Sequence, residues 1–181
     1  MTATEILKHE HQVINMVLGG ARREVLSIRE IGKVNAEKIE KIVDFCRNFI
    51  ERCHHAKEEG YLMVKMQERG LSSDKEPISV MFREHREGQG MVKAIAECLP
   101  QAKAEDSAAI ATVALNLRAY IGLLHDHIDK ENKIFFPLAE RLFTPEDQRE
   151  LLEAFEKIEA EEIGEGVHEK YHQLAHELAR N

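Results

Sequence analysis

The residues in this sequence that could carry chemistry are its histidines, because of their number and their spacing from glutamates. The chain has ten His and no Trp, and two histidines precede a glutamate by four residues, in the pairs His54–Glu58 and His127–Glu131. Residues four apart lie one above the other on the same face of a helix. Imidazole nitrogens and carboxylate oxygens held over one spot are typical ligands of divalent transition metals. Because such pairs also occur on exposed helices, the faces of the helices must decide whether these residues form a site.

Helices are the elements that would position these pairs. Apolar residues recur at steps of three and four along most of the chain, and no stretch alternates in the way that is typical of a strand. The run Thr144-Pro145-Glu146-Asp147 has an N-cap residue, a proline and two acids, which is typical of a helix start. The predicted helices span residues 4–31, 35–69, 77–99 and 107–142, then 144 to the interruption at Gly164 and Gly166, and finally 167–179.

Short connections between these helices predict that neighbours run antiparallel. The expected fold is all-α, an up-down four-helix bundle over residues 4–142 with an additional C-terminal helical extension over residues 145–180. With 181 residues, four prolines and no linker-like stretch, residues 1–181 are expected to form a single domain that can bury a core without a disulfide or metal. A metal would therefore be functional rather than a requirement for folding.

Each of the four bundle helices carries one histidine within its apolar stripe. These residues are His11, His54, His85 and His127, and Glu58 and Glu131 share the faces of the histidines that precede them. His55 instead continues a polar face and is expected to point outward. One histidine in an apolar stripe is normally a core residue with a hydrogen bond. Four at matched depth, with two carboxylates, would be very costly to bury without partners, and two metal ions would remove that cost.

The two halves of the predicted bundle repeat this pattern. A histidine preceded by a glutamate opens each half, at Glu10-His11 and at Glu84-His85, and the inward histidine of the next helix follows 43 or 42 residues later. Each helix pair would therefore supply one half of a pseudo-twofold site, as in di-iron bundles built from facing helices.

The last helix carries three more histidines at steps of four. His172 and His176 are expected on a solvated face near a helix end, where a cationic histidine is favoured. His168 follows the joint Gly164-Glu165-Gly166, where the chain could fold back over the bundle, and is a candidate seventh ligand.

Other notable residues have plainer interpretations. Cys46, Cys53, Tyr61 and Tyr120 lie on inner helix faces and are expected to pack in the core, with a redox role for the cysteines and a hydrogen bond to a ligand for the tyrosines as alternatives. The pair Gly19-Gly20 predicts a close contact between helices, with access for a small ligand as the alternative.

Composition excludes several classes of partner. A net charge of −8 argues against a nucleic-acid interface, which needs clustered Lys and Arg, and against anionic membrane surfaces. No stretch is expected to approach the ~18 apolar residues of a membrane span, and the first residues do not have the pattern of a signal peptide. Three cysteines without a CxxC motif predict a reducing cytoplasm. The sequence indicates no particular protein partner.

The six inward residues resemble a known family. His11, His54xxxGlu58, His85 and His127xxxGlu131 are similar to the hemerythrin-like HHE cation-binding pattern, most specifically in residues 127–137, His-Ile-Asp-Lys-Glu-Asn-Lys-Ile-Phe-Phe-Pro. The resemblance covers residues 7 to about 142. It implies a four-helix bundle with two non-haem iron ions, joined by an oxo or hydroxo bridge, that meets O₂, peroxide or NO. His11 and His54 would then serve one ion, His85 and His127 the other, and Glu58 and Glu131 would bridge them.

The sequence departs from the family pattern in three ways. The His127xxxGlu131 pair stands where the oxygen-carrying hemerythrins have a histidine and an aspartate. The first HxxxE is followed by Tyr61-Leu62-Met63-Val64 without the Phe-Pro of the signature, and four histidines match where the oxygen carriers have five. Fewer ligands leave more open metal positions, which favours reaction over oxygen transport. Three alternatives stay open: an oxidase, peroxidase or iron-repair enzyme on the same centre; a zinc or manganese site; and a structural bundle without metal.

Overall fold

The computed structural model describes residues 1–164 and 166–180, so Glu165 of the expected joint lies outside the described residues. Within that part of the chain the secondary structure is helical, with six helices and no strand. The helices are α1 (Ala3–Ile31), α2 (36–68), α3 (Ile78–Lys103), α4 (Ser107–Leu142), α5 (145–163) and α6 (Val167–Arg180). The all-α class is thus confirmed, and the helices pack as a bundle.

The helix ends follow local capping rules. Thr2 and Thr144 each form a capping box, with Glu5 and Asp147 respectively, and Pro145 occupies the first turn of α5 as predicted. Gly32 ends α1 in the left-handed conformation, at φ 74°. The end of α3 was predicted wrongly. The helix continues through Pro100 to Lys103, and the buried Ala102 in this added turn packs in the core.

Three helices contain π-helical turns. They lie at Cys46–His55 and Glu58–Leu62 in α2, at Glu131–Phe135 in α4 and at Ile158–Ile163 in α5. A π turn holds more residues than an α turn, so it shifts the faces on which successive side chains lie, and such turns are frequent at functional sites. Both HisxxxGlu pairs lie at these turns.

Two apolar clusters are separated by a layer of buried polar side chains. One cluster contains Leu7, Leu62, Met81 and Phe135, and the other contains Ile14, Ile50, Val92 and Leu124. Along α1 and α3 the chain passes from the first cluster to the second, and along α2 and α4 it passes back. The polar layer is crossed once by each helix, so four helices deliver side chains to one level.

Helix α6 packs closely against α1 at a glycine, Gly20. A Cβ atom placed on Gly20 would lie 2.6 Å from the carbonyl oxygen of Leu178. Arg23 donates hydrogen bonds to the carbonyl oxygens of Leu178 and Ala179, at 2.8 and 2.6 Å. At Gly20, therefore, the glycine pair serves a close helix contact, as the plainer interpretation predicted. Gly19 is open: only Arg23 lies within 4.0 Å of its Cβ position.

Helix α4 corrects one expectation. Ser107–Leu142 contains a window that is long and apolar enough to span a membrane by length and composition, so the expectation that no stretch approaches this limit was wrong. A helix in the core of a bundle meets the same criterion, and α4 carries His127 and Glu131 in the buried polar layer.

Candidate metal centre

The buried polar layer consists of histidines and glutamates from four helices. All are at most 5% exposed: His11 on α1; His54, His55 and Glu58 on α2; His85 on α3; and His127 and Glu131 on α4. All six residues of the predicted centre are therefore brought to one place.

The histidines meet in two pairs. The Nε2 atoms of His11 and His54 lie 3.1 Å apart, and those of His85 and His127 lie 3.0 Å apart. Two ligand atoms bound to one ion at about 2.1 Å and at right angles are about 3.0 Å from each other. The spacing within each pair is therefore that of two nitrogens directed at a common ion.

The other ring nitrogen of each of these histidines donates to a side-chain oxygen. The acceptors are Asn132 Oδ1 for His11 (3.0 Å), Glu10 Oε2 for His54 (2.7 Å), Glu59 Oε1 for His85 (2.6 Å) and Glu84 Oε2 for His127 (2.9 Å). An acceptor at Nδ1 holds the proton there and leaves the lone pair of Nε2 directed into the centre.

The carboxylates of Glu58 and Glu131 lie between the two histidine pairs. Glu131 Oε2 is 3.1 Å from His11 Nε2, and its Oε1 is 3.1 Å from His127 Nε2. Glu58 Oε1 is 3.6 Å from His54 Nε2, and its Oε2 is 3.4 Å from His85 Nε2. Each carboxylate thus faces one pair with one oxygen and the other pair with the other oxygen.

These four carboxylate oxygens are buried and accept no hydrogen bond from the described residues. Burial, together with the neighbouring Glu131 carboxylate, raises the pKa of Glu58 well above its usual range. Without an ion, the pair therefore retains a proton. A buried carboxylate without a partner is costly, and a cation between the two would both compensate it and release that proton.

His55 was expected to point outward, and this was wrong. It is buried, its ring stacks on that of His85 at a centroid distance of 3.7 Å, and its Nδ1 has no hydrogen-bond partner among the described residues. Burial and the neighbouring imidazoles hold the pKa of His55 well below its usual range, so the ring is neutral and can act as a ligand. The cause of the error is the π-helical segment Cys46–His55, which turns both His54 and His55 inward.

With His55 included, five histidines face the centre instead of the four predicted from the sequence, so a missing histidine no longer argues against oxygen transport. The side chains form two groups of four that share Glu58. One group is His11, His54, Glu58 and Glu131, and the other is His55, Glu58, His85 and His127. In each group, one ligand atom from every residue lies within 4.8 Å of the others. Imidazole and carboxylate donors suit iron, zinc or manganese, so the residues present fit a centre with two ions.

The predicted pseudo-twofold pattern extends beyond the ligands. Lys57 binds the carboxylate of Glu10, and Lys130 binds that of Glu84. In both halves the lysine precedes the metal-facing glutamate directly, so the shared motif is HxxKE. Sequence reasoning used the histidine and the glutamate of this motif but missed the lysine, although the repeat was visible.

His168 does not reach the centre. Its Nε2 lies 3.9 Å from Glu10 Oε1, and it belongs to neither group of four. Glu10 bonds His54 through its other oxygen, so the Glu10 carboxylate separates His168 from that ligand. The expectation of a seventh ligand at this centre is thus not met by the geometry.

The remaining candidates lie in the apolar core or at its edge. Cys46 and Cys53 are buried free thiols, and burial raises the pKa of each to about 12, which makes the reactive thiolate scarce. Tyr120 is buried in the core, and Tyr61 packs at its edge.

Comparison with known proteins agrees with this geometry. The profile of the hemerythrin HHE cation-binding domain matches residues 2–139. Uncharacterized proteins of Mycobacterium bovis and Mycobacterium tuberculosis are 27% identical over 165 residues, which is 91% of this chain and 64% of theirs. The chain therefore spans less than two thirds of the length of these relatives. No solved structure matches it.

The family match covers more than half of the chain, includes the six residues that carried the resemblance and coincides with the His and Glu groups of the centre. The chain belongs to the hemerythrin HHE cation-binding domain family.

Proposed function

We propose that the chain is a non-haem di-iron protein that binds or reacts with O₂ or a related small oxidant, such as peroxide or NO, in sensing, storage or a stress response. One observation carries the proposal. The four oxygens of Glu58 and Glu131 are buried without hydrogen bonds between two histidine pairs whose Nε2 atoms converge. Bridging carboxylates and imidazoles in an apolar bundle suit non-haem iron.

The ligand set of the proposed centre is asymmetric. Three histidines, His55, His85 and His127, would hold one ion, and two, His11 and His54, would hold the other. Because Glu131 also faces His127, the ion beside His85 and His127 would have five protein ligands and the ion beside His11 and His54 four, so the second ion would have more open positions for a small molecule. Bound iron would supply the redox and ligand-binding chemistry.

The chain's own residues orient the ligands and exclude water. The Nδ1 acceptors fix the ring orientations and the tautomers, as described above. The ring of Phe136 stacks on His11 at a centroid distance of 5.4 Å, and apolar clusters cover the layer on both sides. A small uncharged oxidant can pass such a surface more readily than an ion can.

We also propose the up-down four-helix topology for α1 to α4. It is supported by the order in which these helices cross the polar layer, since successive helices pass between the two apolar clusters in alternating directions. This order is what an antiparallel bundle with a site at one level requires.

The proposal is tested by metal content. Untagged protein from iron-replete medium is analysed by plasma mass spectrometry beside the variants Glu58→Ala/Glu131→Ala and Glu30→Ala/Glu87→Ala, the second of which changes only exposed glutamates. After gel filtration, which removes exchangeable metal, we expect about two irons per chain in the wild type and the control, and none in the first variant. Stoichiometric iron in the first variant would overturn the site.

Other outcomes distinguish the remaining candidates. Zinc or manganese in place of iron would keep the centre and discard the oxygen chemistry. No metal, even after anaerobic reconstitution with ferrous iron, would leave a structural bundle. Where iron is present, turnover of peroxide, O₂ or NO identifies an enzyme, and stoichiometric binding identifies a carrier or sensor.

A further inference from the structure

Histidines also gather at a second place in the molecule. Of the ten His in the chain, five belong to the centre and His125 is exposed elsewhere. The remaining four line one groove of about 520 Å³ between α1 and α6; they are His9, His168, His172 and His176. We call this the four-histidine groove.

Two of these histidines are arranged as a chelating pair. His168 and His172 lie one turn apart on α6, with ring centroids 4.6 Å apart. Both rings lie against the buried ring of Phe49, at 5.4 and 6.1 Å, which holds them side by side. His172 forms no hydrogen bond with any described residue. Histidines four apart on a helix place their nitrogens over one spot.

Two carboxylates complete the polar lining of the groove. One ligand atom each of Glu10, Glu159 and His168 lies within 4.8 Å of the others. Lys57 binds both carboxylates, with its Nζ 2.6 Å from Glu159 Oε1. One ammonium against two carboxylates leaves a net negative charge beside the imidazoles, which attracts a cation. The Glu159 side chain is 37% exposed, so an ion from the solvent can reach its carboxylate.

We propose that the four-histidine groove binds a divalent transition-metal ion, additional to the centre, through Glu159 and His168, whose ligand atoms lie within 4.8 Å of each other, with His172, the neighbouring ring one turn along α6, as the third ligand. Mixed imidazole and carboxylate donors select Zn²⁺, Co²⁺ or Fe²⁺ over Ca²⁺ and Mg²⁺, which prefer oxygen ligands alone. Three ligands at a groove open to solvent leave water in the other positions, so the ion exchanges with the medium.

This site is distinct from the centre. Glu10 stands between them, because its Oε2 accepts the Nδ1 proton of His54 while its Oε1 faces Lys57 and His168. The inference goes beyond the proposed function and does not require it, since the groove residues and the residues of the centre are different sets.

The test measures by calorimetry how many equivalents of Zn²⁺ bind per chain. Four proteins are compared: the wild type, a groove variant, a centre variant and the variant that combines both changes. The changes are His168→Ala/His172→Ala in the groove and Glu58→Ala/Glu131→Ala in the centre. We expect the groove change to remove one equivalent in both backgrounds. His125→Ala, which alters an exposed histidine outside both places, is expected to remove none.

Each outcome decides one question. Equal numbers of equivalents with and without His168 and His172, in both backgrounds, would overturn the groove site and leave the centre untouched. Loss of metal by the groove change alone would instead overturn the centre and keep the groove. Because the groove change alters half-exposed residues only, it can be measured in the otherwise intact chain even where the centre variant fails to fold.

Discussion

The ammonium of Lys57 is completely buried against Glu10, whereas Lys130, which contacts Glu84 in the equivalent position, has a side chain that is 36% exposed. The difference arises from α5. Glu159 binds Lys57 from the other side, and the ring of Phe155 lies 5.6 Å from its Nζ. The pseudo-twofold pattern of the sequence is therefore broken in the structure by the C-terminal helices, which cover only one half.

We predict that the two lysines differ in their effect on stability. Lys57→Met leaves two carboxylates facing each other without their cation, and removing one partner of a buried ion pair costs about 3–5 kcal/mol. Lys130→Met removes a partly exposed ammonium from Glu84, which keeps its hydrogen bond with His127, and is expected to cost about 0–1 kcal/mol. Urea unfolding of the metal-free proteins measures both. Equal losses would contradict the asymmetry.

His55 gives a second prediction. If it is the third nitrogen ligand of one ion, His55→Leu weakens that ion and not the other. After gel filtration we expect about one iron per chain instead of about two. His125→Leu, on the exposed face of α4, serves as the matched control and should keep the wild-type content. Full retention of iron by the His55 variant would remove this residue from the ligand set.

The sequence predicted most of the centre because the α-helical period is regular. His11, His85 and His127 lie in apolar stripes, and that period places them inward whatever the details of packing. His55 could not be placed in this way, because the period changes within a π-helical segment, and hydrogen bonding rather than polarity patterning defines such a segment. One additional residue in a helical turn is sufficient to rotate the following polar side chains towards the core.

Contacts between residues that are distant in the sequence were harder to predict. The Nδ1 acceptors Glu59 and Asn132 lie 26 and 121 residues from their histidines. Each directly follows the glutamate of an HxxKE motif, but that position does not indicate which histidine it meets. The position of His168 depends on the path of the chain through the joint before α6 and on the packing of α6 against Gly20. Both are tertiary properties, so periodicity could raise His168 as a candidate ligand but could not place it.

The two adjacent glycines of α1 provide a matched test of this packing. Gly20→Ala forces a Cβ against the Leu178 carbonyl oxygen, and such overpacking costs about 1–3 kcal/mol. Gly19→Ala meets open space and is expected to stabilise the helix by up to about 1 kcal/mol. Thermal unfolding compares them. Two changes of the same sign and size would show that α6 does not pack closely at Gly20.

Asp147 joins the start of α5 to the end of α2. Arg69 donates to both of its carboxylate oxygens, at 2.9 and 2.8 Å, and the backbone N–H of Thr144 donates to Oδ2 at 2.7 Å. The hydrogen bond from Arg69, with those from Thr144, holds the pKa of Asp147 below its usual range. The ionised carboxylate is therefore the form that stabilises the fold.

The sign of the pH dependence follows from that lowered pKa. A carboxyl group with a lower pKa in the folded than in the unfolded chain stabilises above the unfolded value of about 3.9, and this stability is lost as the pH falls towards the folded pKa. Asp147→Asn should therefore cost about 1 kcal/mol at pH 7, where the capping carboxylate is ionised, and less at pH 3. Urea unfolding at both pH values tests this, with the exposed Asp126→Asn as a control that changes neither. A cost that is the same at pH 7 and pH 3 would mean that the charge of Asp147 does not contribute, and that only the shape of the cap matters.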